Sequence, residues 1–326
     1  MLSRVADSIY WMSRYIERAE NIARFVDVNL RLVLDLPVEI KQQWAPLVTV
    51  TGDYELFIKK YGTANRDTVI QFLSFDSTYP NSILSCLRSA RQNARSIREV
   101  ISSEIWECIN EFYLFVSSKG AVQMASTDAH AFFDEVKLSS QRFIGISEGT
   151  FSHGEGWQFL KLGSLVERAE KTSRILDVKY FILLPTTDYV GTPYDNIQWA
   201  AVLKSASALE MYRKRFHRIS PKQVCDFLIF DREFPRAIHH CVIGAEETLH
   251  RITGSQSGTF SNQAERRLGR LRAELDYSDI GEVYREGFHE YLDSIQVKLN
   301  TVGDAIYDTF FALRPSGLST ITRGEK

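Results

Sequence analysis

The sequence has few of the features that assign a chain to a specialised class of protein. Among its 326 residues there are four cysteines, Cys86, Cys108, Cys225 and Cys241, and no two have C-x-x-C spacing. They are too sparse for a disulfide framework and predict reduced thiols in a cytoplasm. No run approaches 18 uninterrupted apolar residues, so we expect no membrane-spanning helix. The first residues also lack the basic and apolar regions of a signal peptide.

The chain also has almost no net charge. Its 39 basic and 41 acidic side chains leave a formal charge of −2. No global field therefore attracts it to nucleic acid or to an anionic membrane surface, and we expect neither as a partner. With 44% hydrophobic residues, a chain of this length can bury a large core. These properties predict an ordinary soluble globular protein.

Apolar residues recur at helical spacing. From Val5 to Val33 they follow alternating steps of four and three residues, which gives one stripe over roughly eight turns. This stripe predicts a long core helix that ends near Pro37. A second stripe, from Phe159 to Tyr180, takes the same steps. Strand-like alternation is weak, although "LVTVT" and "FILL" are ambiguous, so we predict an all-α fold.

The two stripes belong to a longer internal repeat. The segment "YIERAENIARFVDV" from Tyr15 is followed 150 residues later by "LVERAEKTSRILDV". In the same way "FDSTYPNSILSC" matches "FDREFPRAIHHC" at an offset of 155, which aligns Pro80 with Pro235 and Trp44 with Trp199. Self-similarity of this kind indicates a duplicated helical unit.

The repeat predicts an internally duplicated helical bundle with two pseudo-symmetric halves, residues 1–152 and 153–313. Each half is expected to contain about five or six helices, built around a long N-terminal helix. We expect the two halves to form one compact domain. Residues 314–326 are expected to form a flexible tail.

Each long helix carries the same charged residues beside its apolar stripe. They lie three, four and three residues apart on one face: Glu17, Glu20, Arg24 and Asp27, and then Glu167, Glu170, Arg174 and Asp177. This face has two interpretations. It is either an exposed surface with salt bridges between residues four apart, or an interior acidic cluster whose buried charges must be matched.

A row of arginines occurs in the first half only. Arg88, Arg91, Arg95 and Arg98 lie three, four and three residues apart, and guanidinium groups in such a row need carboxylates or a bound anion beside them. We therefore predict that this row faces the glutamates of the long helices. The candidate binding pocket comprises Glu17, Glu20, Asn21, Arg24, Arg91, Arg95, Arg98, Glu167, Glu170 and Arg174. A purely structural network of ion pairs is the alternative.

Other motifs carry less weight. Glu247 with His250 and Glu286 with His289 have the Glu-x-x-His spacing of di-metal bundle proteins, in which the repeated glutamates could supply further ligands. Such pairs also arise by chance in a glutamate-rich chain, so we predict no metal and no cofactor. The glycine-rich segment 146–157 lacks a phosphate-binding pattern and is interpreted as the turn between the halves.

Longer segments of the sequence resemble a known family. The segments "MLSRVADSIYWMSRYIERAENIARFVDVN", "YPNSILSCLRSARQNARSIREVIS" and "EGWQFLKLGSLVERAEKTSRILDV" resemble the bacterial alpha-E domain proteins. The resemblance runs from residue 1 to about residue 313. It implies an all-helical fold and an association with a circularly permuted ATP-grasp protein and a transglutaminase-like peptidase. A role in making or processing a peptide would follow.

Two classes of function are therefore open. The first is a non-catalytic helical subunit that binds an ATP-grasp-type protein and its peptide substrate through the charged pocket; a homo-oligomer is also open. The second is an enzyme of amide or carboxylate chemistry, with Glu17 or Glu167 as base and Arg91 or Arg95 holding a carboxylate or phosphate. The lack of nucleophile and cofactor motifs favours the first. Carboxyl groups with raised pKa values in a cleft would favour the second.

Overall fold

Every element of regular structure in the described part of the chain is a helix. The computed structural model describes residues 1–35, 44–183 and 193–312, and no strand forms within these ranges. The predicted all-α fold is confirmed. Of the two ambiguous segments, residues 47–49 lie in a short helix and residues 181–183 end a long one.

The described residues form sixteen α-helices. Those of the first half are α1 (Ser3–Asp35), α2 (Ala45–Thr49), α3 (Tyr54–Tyr61), α4 (Arg66–Ile70), α5 (Ile83–Ser96), α6 (Ser103–Ser117), α7 (Lys119–Thr127) and α8 (Ala129–Thr150). Those of the second half are α9 (Glu155–Leu183), α10 (Pro193–Ser205), α11 (Leu209–Arg215), α12 (Pro221–Phe230), α13 (Ile238–Thr253), α14 (Gln263–Tyr277), α15 (Ile280–Glu286) and α16 (Phe288–Ile306). Short π-helical turns at Gln71–Phe75 and Tyr307–Phe311 continue α4 and α16.

The two long helices form the centre of the fold. The predicted apolar stripe of α1 is buried from Ile9 to Leu30, and Ile9, Met12 and Ala19 are at most 1% exposed. α1 packs along α9, and each of them also packs against helices of its own half. Their approach is close, because a Cβ atom at Gly163 of α9 would lie 2.4 Å from the carbonyl oxygen of Tyr10. The expected helix end near Pro37 lies outside the described residues.

Each long helix packs against two later helices. α1 packs against α5 and α8, as α9 packs against α13 and α16. The described residues contain eight α-helices per half instead of five or six, because helices of five to ten residues such as α2, α4 and α12 carry too few turns to give a readable stripe. The duplication itself stays a prediction, which superposition of residues 1–152 on 153–312 tests. The expected tail, 314–326, lies outside the described residues.

Two turns carry side chains over the contact between α1 and α9. Each turn begins with an aspartate whose side chain accepts backbone N–H groups: Asp76 from Thr78 (2.9 Å) and Asp231 from Phe234 (2.6 Å). Such bonds favour a turn over a continued helix. The first turn leads into α5 and the second into α13. None of the described helices is both long enough and apolar enough to cross a membrane.

Candidate functional site

A layer of charged side chains lies between α1 and α9, inside the apolar core. Glu17, Glu20, Glu167 and Glu170 are all at most 5% exposed. The interior interpretation of the repeated charged face is therefore correct, and an exposed surface is excluded for these four carboxylates. Because a buried carboxylate without partners is very costly, each one needs cations and hydrogen-bond donors nearby.

The two helices exchange arginines across their contact. Arg18 of α1 donates two hydrogen bonds to Glu167 of α9, at 2.6 and 3.0 Å. Reciprocally, Arg168 of α9 donates two hydrogen bonds to Glu17 of α1, at 3.1 and 2.8 Å. We call these contacts the crossed pairs. In each, the planar guanidinium contacts both carboxylate oxygens, which is the strongest arrangement of such an ion pair.

Further donors complete the environment of the α1 carboxylates. Arg236, from the turn before α13, donates to Glu17 (3.0 Å) and to Glu20 (2.6 Å). Arg24 donates to Glu20 at 2.7 Å, the predicted contact between residues four apart. Asn21 donates to Glu17 at 2.9 Å and accepts from Arg236 at 3.2 Å. Glu17 also lines a second pocket, of about 240 Å³, together with Arg168.

The α9 carboxylates have different partners. Arg14 donates to Glu167 at 2.8 Å, and the Lys171 ammonium lies 3.5 Å from the same group. Glu170 pairs with Lys171 at 2.6 Å and with Arg174, the second predicted contact between residues four apart. The site residues predicted on α1 and α9 are thus brought together in one layer.

Ion pairing keeps these carboxylates ionised. Burial alone would raise the pKa of Glu17, but Arg168 and Arg236 outweigh burial and hold that pKa at about 2. Burial likewise opposes ionisation of Glu167, yet Arg18, Lys171 and Arg14 hold its pKa well below the usual range. The pKa of Glu170 is lowered by Lys171 and Arg174 against the same effect of burial. None of these three groups holds a proton near neutral pH.

The cysteine thiols are similarly unsuited to reaction. Burial raises the pKa of Cys86, Cys225 and Cys241 to about 12 in each case, and it raises the pKa of Cys108 as well. Since the thiolate is the nucleophile, these side chains behave as packing groups.

The arginine row does not join the charged layer, which corrects the sequence-based prediction. Arg95 is exposed on α5 and Arg98 is exposed in the turn after it. Arg88 donates to the Ser77 carbonyl oxygen at 3.5 Å. Arg91 donates to Asn110 of α6 at 2.7 Å.

The physical reason is that α5 packs against α1 through its buried apolar stripe, which includes Ala90 and Ala94. The arginine row therefore lies on the flank of α5 and in the turn that follows it, beside α6. The Arg98 guanidinium stacks over the Trp106 ring of α6 at 4.9 Å, and Arg91 lies 5.0 Å from the Tyr113 ring centroid. Solvent and aromatic rings, not the glutamates, accommodate the charges of the row.

The Glu-x-x-His pairs do not converge. Glu247 is exposed on α13 while His250 is buried. Glu286 ends α15 and His289 begins the next helix, where it lies 2.7 Å from Asp177. Among the described residues, no three metal-ligating side chains of His, Cys, Asp or Glu come together.

A pocket of about 220 Å³ opens at the α9 side of the charged layer. Four cationic side chains line it, and we call them the pocket cations: Arg14, Arg18, Lys171 and Arg174. Glu170 lines it as well. Of the predicted site residues, Asn21, Glu170 and Arg174 therefore border this pocket, whereas Arg24 is buried on the opposite side of the layer.

Sequence reasoning missed several members of the layer. Arg18 and Arg168 directly follow a glutamate, and neighbours on a helix do not face each other, so they were not predicted to pair with glutamates. Their repetition beside Glu17 and Glu167 was the available signal. Arg236 gave no such signal, because the matching residue of the first half is Asn81.

The sequence matches a family and several relatives over most of its length. Residues 1–311 match the Alpha-E family, described as a predicted alpha-helical domain with a conserved ER motif. The chain is 22% identical over 344 aligned positions to an uncharacterised protein of Mycobacterium bovis and, equally, to uncharacterised proteins of two Mycobacterium tuberculosis strains.

Each of these alignments covers 98% of this chain but 38% of the relative, so the chain spans well under half of their length. No solved structure matches the chain. The ER dipeptides of the two long helices are Glu17–Arg18 and Glu167–Arg168, the four residues of the crossed pairs. With its full helical region matched and both dipeptides present, the chain belongs to the Alpha-E family.

Proposed function

We propose that the protein is a non-catalytic helical binding subunit. It acts with a circularly permuted ATP-grasp ligase and a transglutaminase-like peptidase in the synthesis or processing of a peptide. The observation that carries this proposal is the charged layer, in which buried glutamates are paired with arginines and held ionised.

The state of the carboxylates favours binding over catalysis. A general base works best with a pKa near the operating pH, whereas the pKa of Glu17 lies at about 2. Both oxygens of Glu17 and of Glu167 also accept hydrogen bonds from arginine, so neither group is available to remove a proton from a substrate. Arg91 and Arg95, which the sequence predicts to hold a substrate beside these glutamates, lie outside the charged layer.

The length of the relatives supports a role beside another protein. In each mycobacterial relative, most of the chain lies outside the part that matches this one. The helical region therefore occurs there covalently joined to further sequence. A domain that works next to a partner is expected to be found fused to other domains in some organisms.

Reconstitution tests the proposed function. The protein would be purified with an ATP-grasp ligase from the same host, and peptide product would be followed by mass spectrometry with and without it. We expect product to rise on addition of the protein and to fall with Lys171→Glu, which reverses a charge at the pocket. Arg95→Glu, the matched reversal on the exposed flank of α5, should leave product unchanged.

Two results would count against this function. One is turnover of a peptide or amide by the isolated protein, since that would make it an enzyme. The other is ligase activity that does not change when the protein is added, at any ratio of protein to ligase. Complex formation by size-exclusion chromatography separates a failure to bind the ligase from a failure to assist it.

A further inference from the structure

We infer that the pocket between α1 and α9 binds an oxyanion, of the kind found at the carboxylate end of a peptide. This inference rests on the proposed binding function and deepens it, because it names the chemical group that the site takes. It is carried by the charge of the pocket, by a difference between the two sides of the charged layer, and by the walls.

The pocket cations outnumber the carboxylates that contact them. Glu167 pairs with Arg14, Arg18 and Lys171, and Glu170 pairs with Lys171 and Arg174. Four positive charges against two negative ones leave an excess of two. The cationic side chains are only 12–25% exposed. At such partly buried sites an anion is attracted more strongly than in bulk water.

The two sides of the layer differ in the residues that the turns before α5 and α13 supply. On the α1 side, Arg236 extends from its turn and contacts Glu17 and Glu20. The matching residue in the repeat is Asn81, which accepts a hydrogen bond from Arg18 at 2.7 Å and lines the pocket. Asparagine is much shorter than arginine, so a space remains where the opposite side has a guanidinium. Lys171, which corresponds to Asn21, adds a cation at this space.

The walls suit a carboxylate that is attached to a short organic chain. Phe25 and Ile175 provide apolar surface, while Asn81 and Asn300 provide amide groups. The volume of about 220 Å³ is below the roughly 300–1,000 Å³ of sites that enclose a whole small molecule. We therefore expect the pocket to take the end of a longer ligand.

Titration calorimetry on the full chain tests the inference with three probes. N-acetyl-alanyl-alanine has a free carboxylate, its C-terminal amide lacks that charge, and inorganic phosphate provides the alternative oxyanion. We expect the peptide acid to bind at least about tenfold more tightly than the amide. Tighter binding of phosphate, in competition with the peptide acid, would assign the same site to a phosphate group.

Variants locate the binding. Lys171→Gln removes one of the two excess charges and should weaken binding of the peptide acid by about tenfold or more. The double variant Asn81→Arg with Lys171→Asn copies the residues of the opposite side, keeps the total charge and fills the space. It should abolish binding while the protein stays folded by circular dichroism. Arg95→Gln, on the exposed flank of α5, should leave the affinity unchanged.

The inference is wrong if acid and amide bind equally, if no probe binds, or if the filled double variant binds as well as the original protein. Its failure is distinguishable from that of the proposed function. If the ligase responds to the protein but the probes do not bind, the accessory role is supported and the oxyanion site is rejected. If the probes bind but ligase activity does not change, the oxyanion site is supported and the accessory role is rejected.

Discussion

The crossed pairs should contribute measurably to stability, and truncating one arginine at a time tests this. Arg18→Ala removes two hydrogen bonds to Glu167, a carboxylate with no exposed surface. Arg168→Ala does the same to Glu17 on the other helix. In both variants a buried carboxylate stays behind with fewer partners.

The magnitude follows from what each carboxylate retains. A hydrogen bond to a charged group contributes about 1.5–3 kcal/mol, and stranding a buried charge costs about 3–5 kcal/mol. Glu167 keeps Arg14 and Lys171, and Glu17 keeps Arg236. We therefore expect either variant to lower the free energy of unfolding by about 3 kcal/mol, the low end of this range.

Urea unfolding followed by circular dichroism gives the free energies. Arg95→Ala, on the exposed flank of α5, is the matched control and should stay within about 0.5 kcal/mol of the parent. Adding Glu167→Gln to Arg18→Ala should recover part of the loss, because the stranded charge is then removed. If Arg18→Ala and Arg168→Ala change the free energy of unfolding no more than the control does, the crossed pairs do not stabilise the fold.

Three further outcomes are expected. Gly163→Ala should lower the free energy of unfolding by about 1–3 kcal/mol, because its Cβ would clash with the Tyr10 carbonyl. Gly145→Ala, on an open helical face, should raise the free energy of unfolding by about 0.5–1 kcal/mol. Thermal melts that rank the two variants in the opposite order would contradict the close helix contact. The pKa of Glu17 falls from 4.5 to about 2 on folding, so its stabilisation is complete above pH 4.5 and is lost towards pH 2. Glu17→Gln should flatten the stability profile in that window, and an unchanged slope would contradict the assignment. Elemental analysis should find no stoichiometric iron, manganese or zinc; one metal ion per chain would revive the di-metal hypothesis.

The helical architecture was readable from the sequence because it depends on periodicity. The stripe of α1 predicted a buried face, and Ile9, Met12 and Ala19 are buried as expected. Short elements were not readable. α2 and α4 have five residues each, so their apolar residues complete little more than one turn and give no period.

The side-chain pairs that form across the core were less predictable from the sequence than the helices themselves. The spacing of Glu20 and Arg24 predicted a contact within one helix, and that contact is present. The stronger interactions join residues 149 to 219 positions apart, as in the pairing of Arg18 with Glu167 and of Arg236 with Glu17. Such pairings depend on how two helices cross, and spacing along one helix does not contain that information.

Comparison of the two matching sequence segments separates buried charges from exposed ones. A charged side chain inside the core is constrained by its partner, so Glu17–Arg18 and Glu167–Arg168 recur together and exchange partners across the helix contact. The arginine row occurs in only one of the matching segments, as is expected of a surface free to change. It lies on the outer flank of α5 and in the turn after that helix. By the same reasoning, a difference between the matching segments beside a buried charge needs its own explanation. Arg236 is buried, its counterpart Asn81 is half-buried, and the pocket opens beside Asn81.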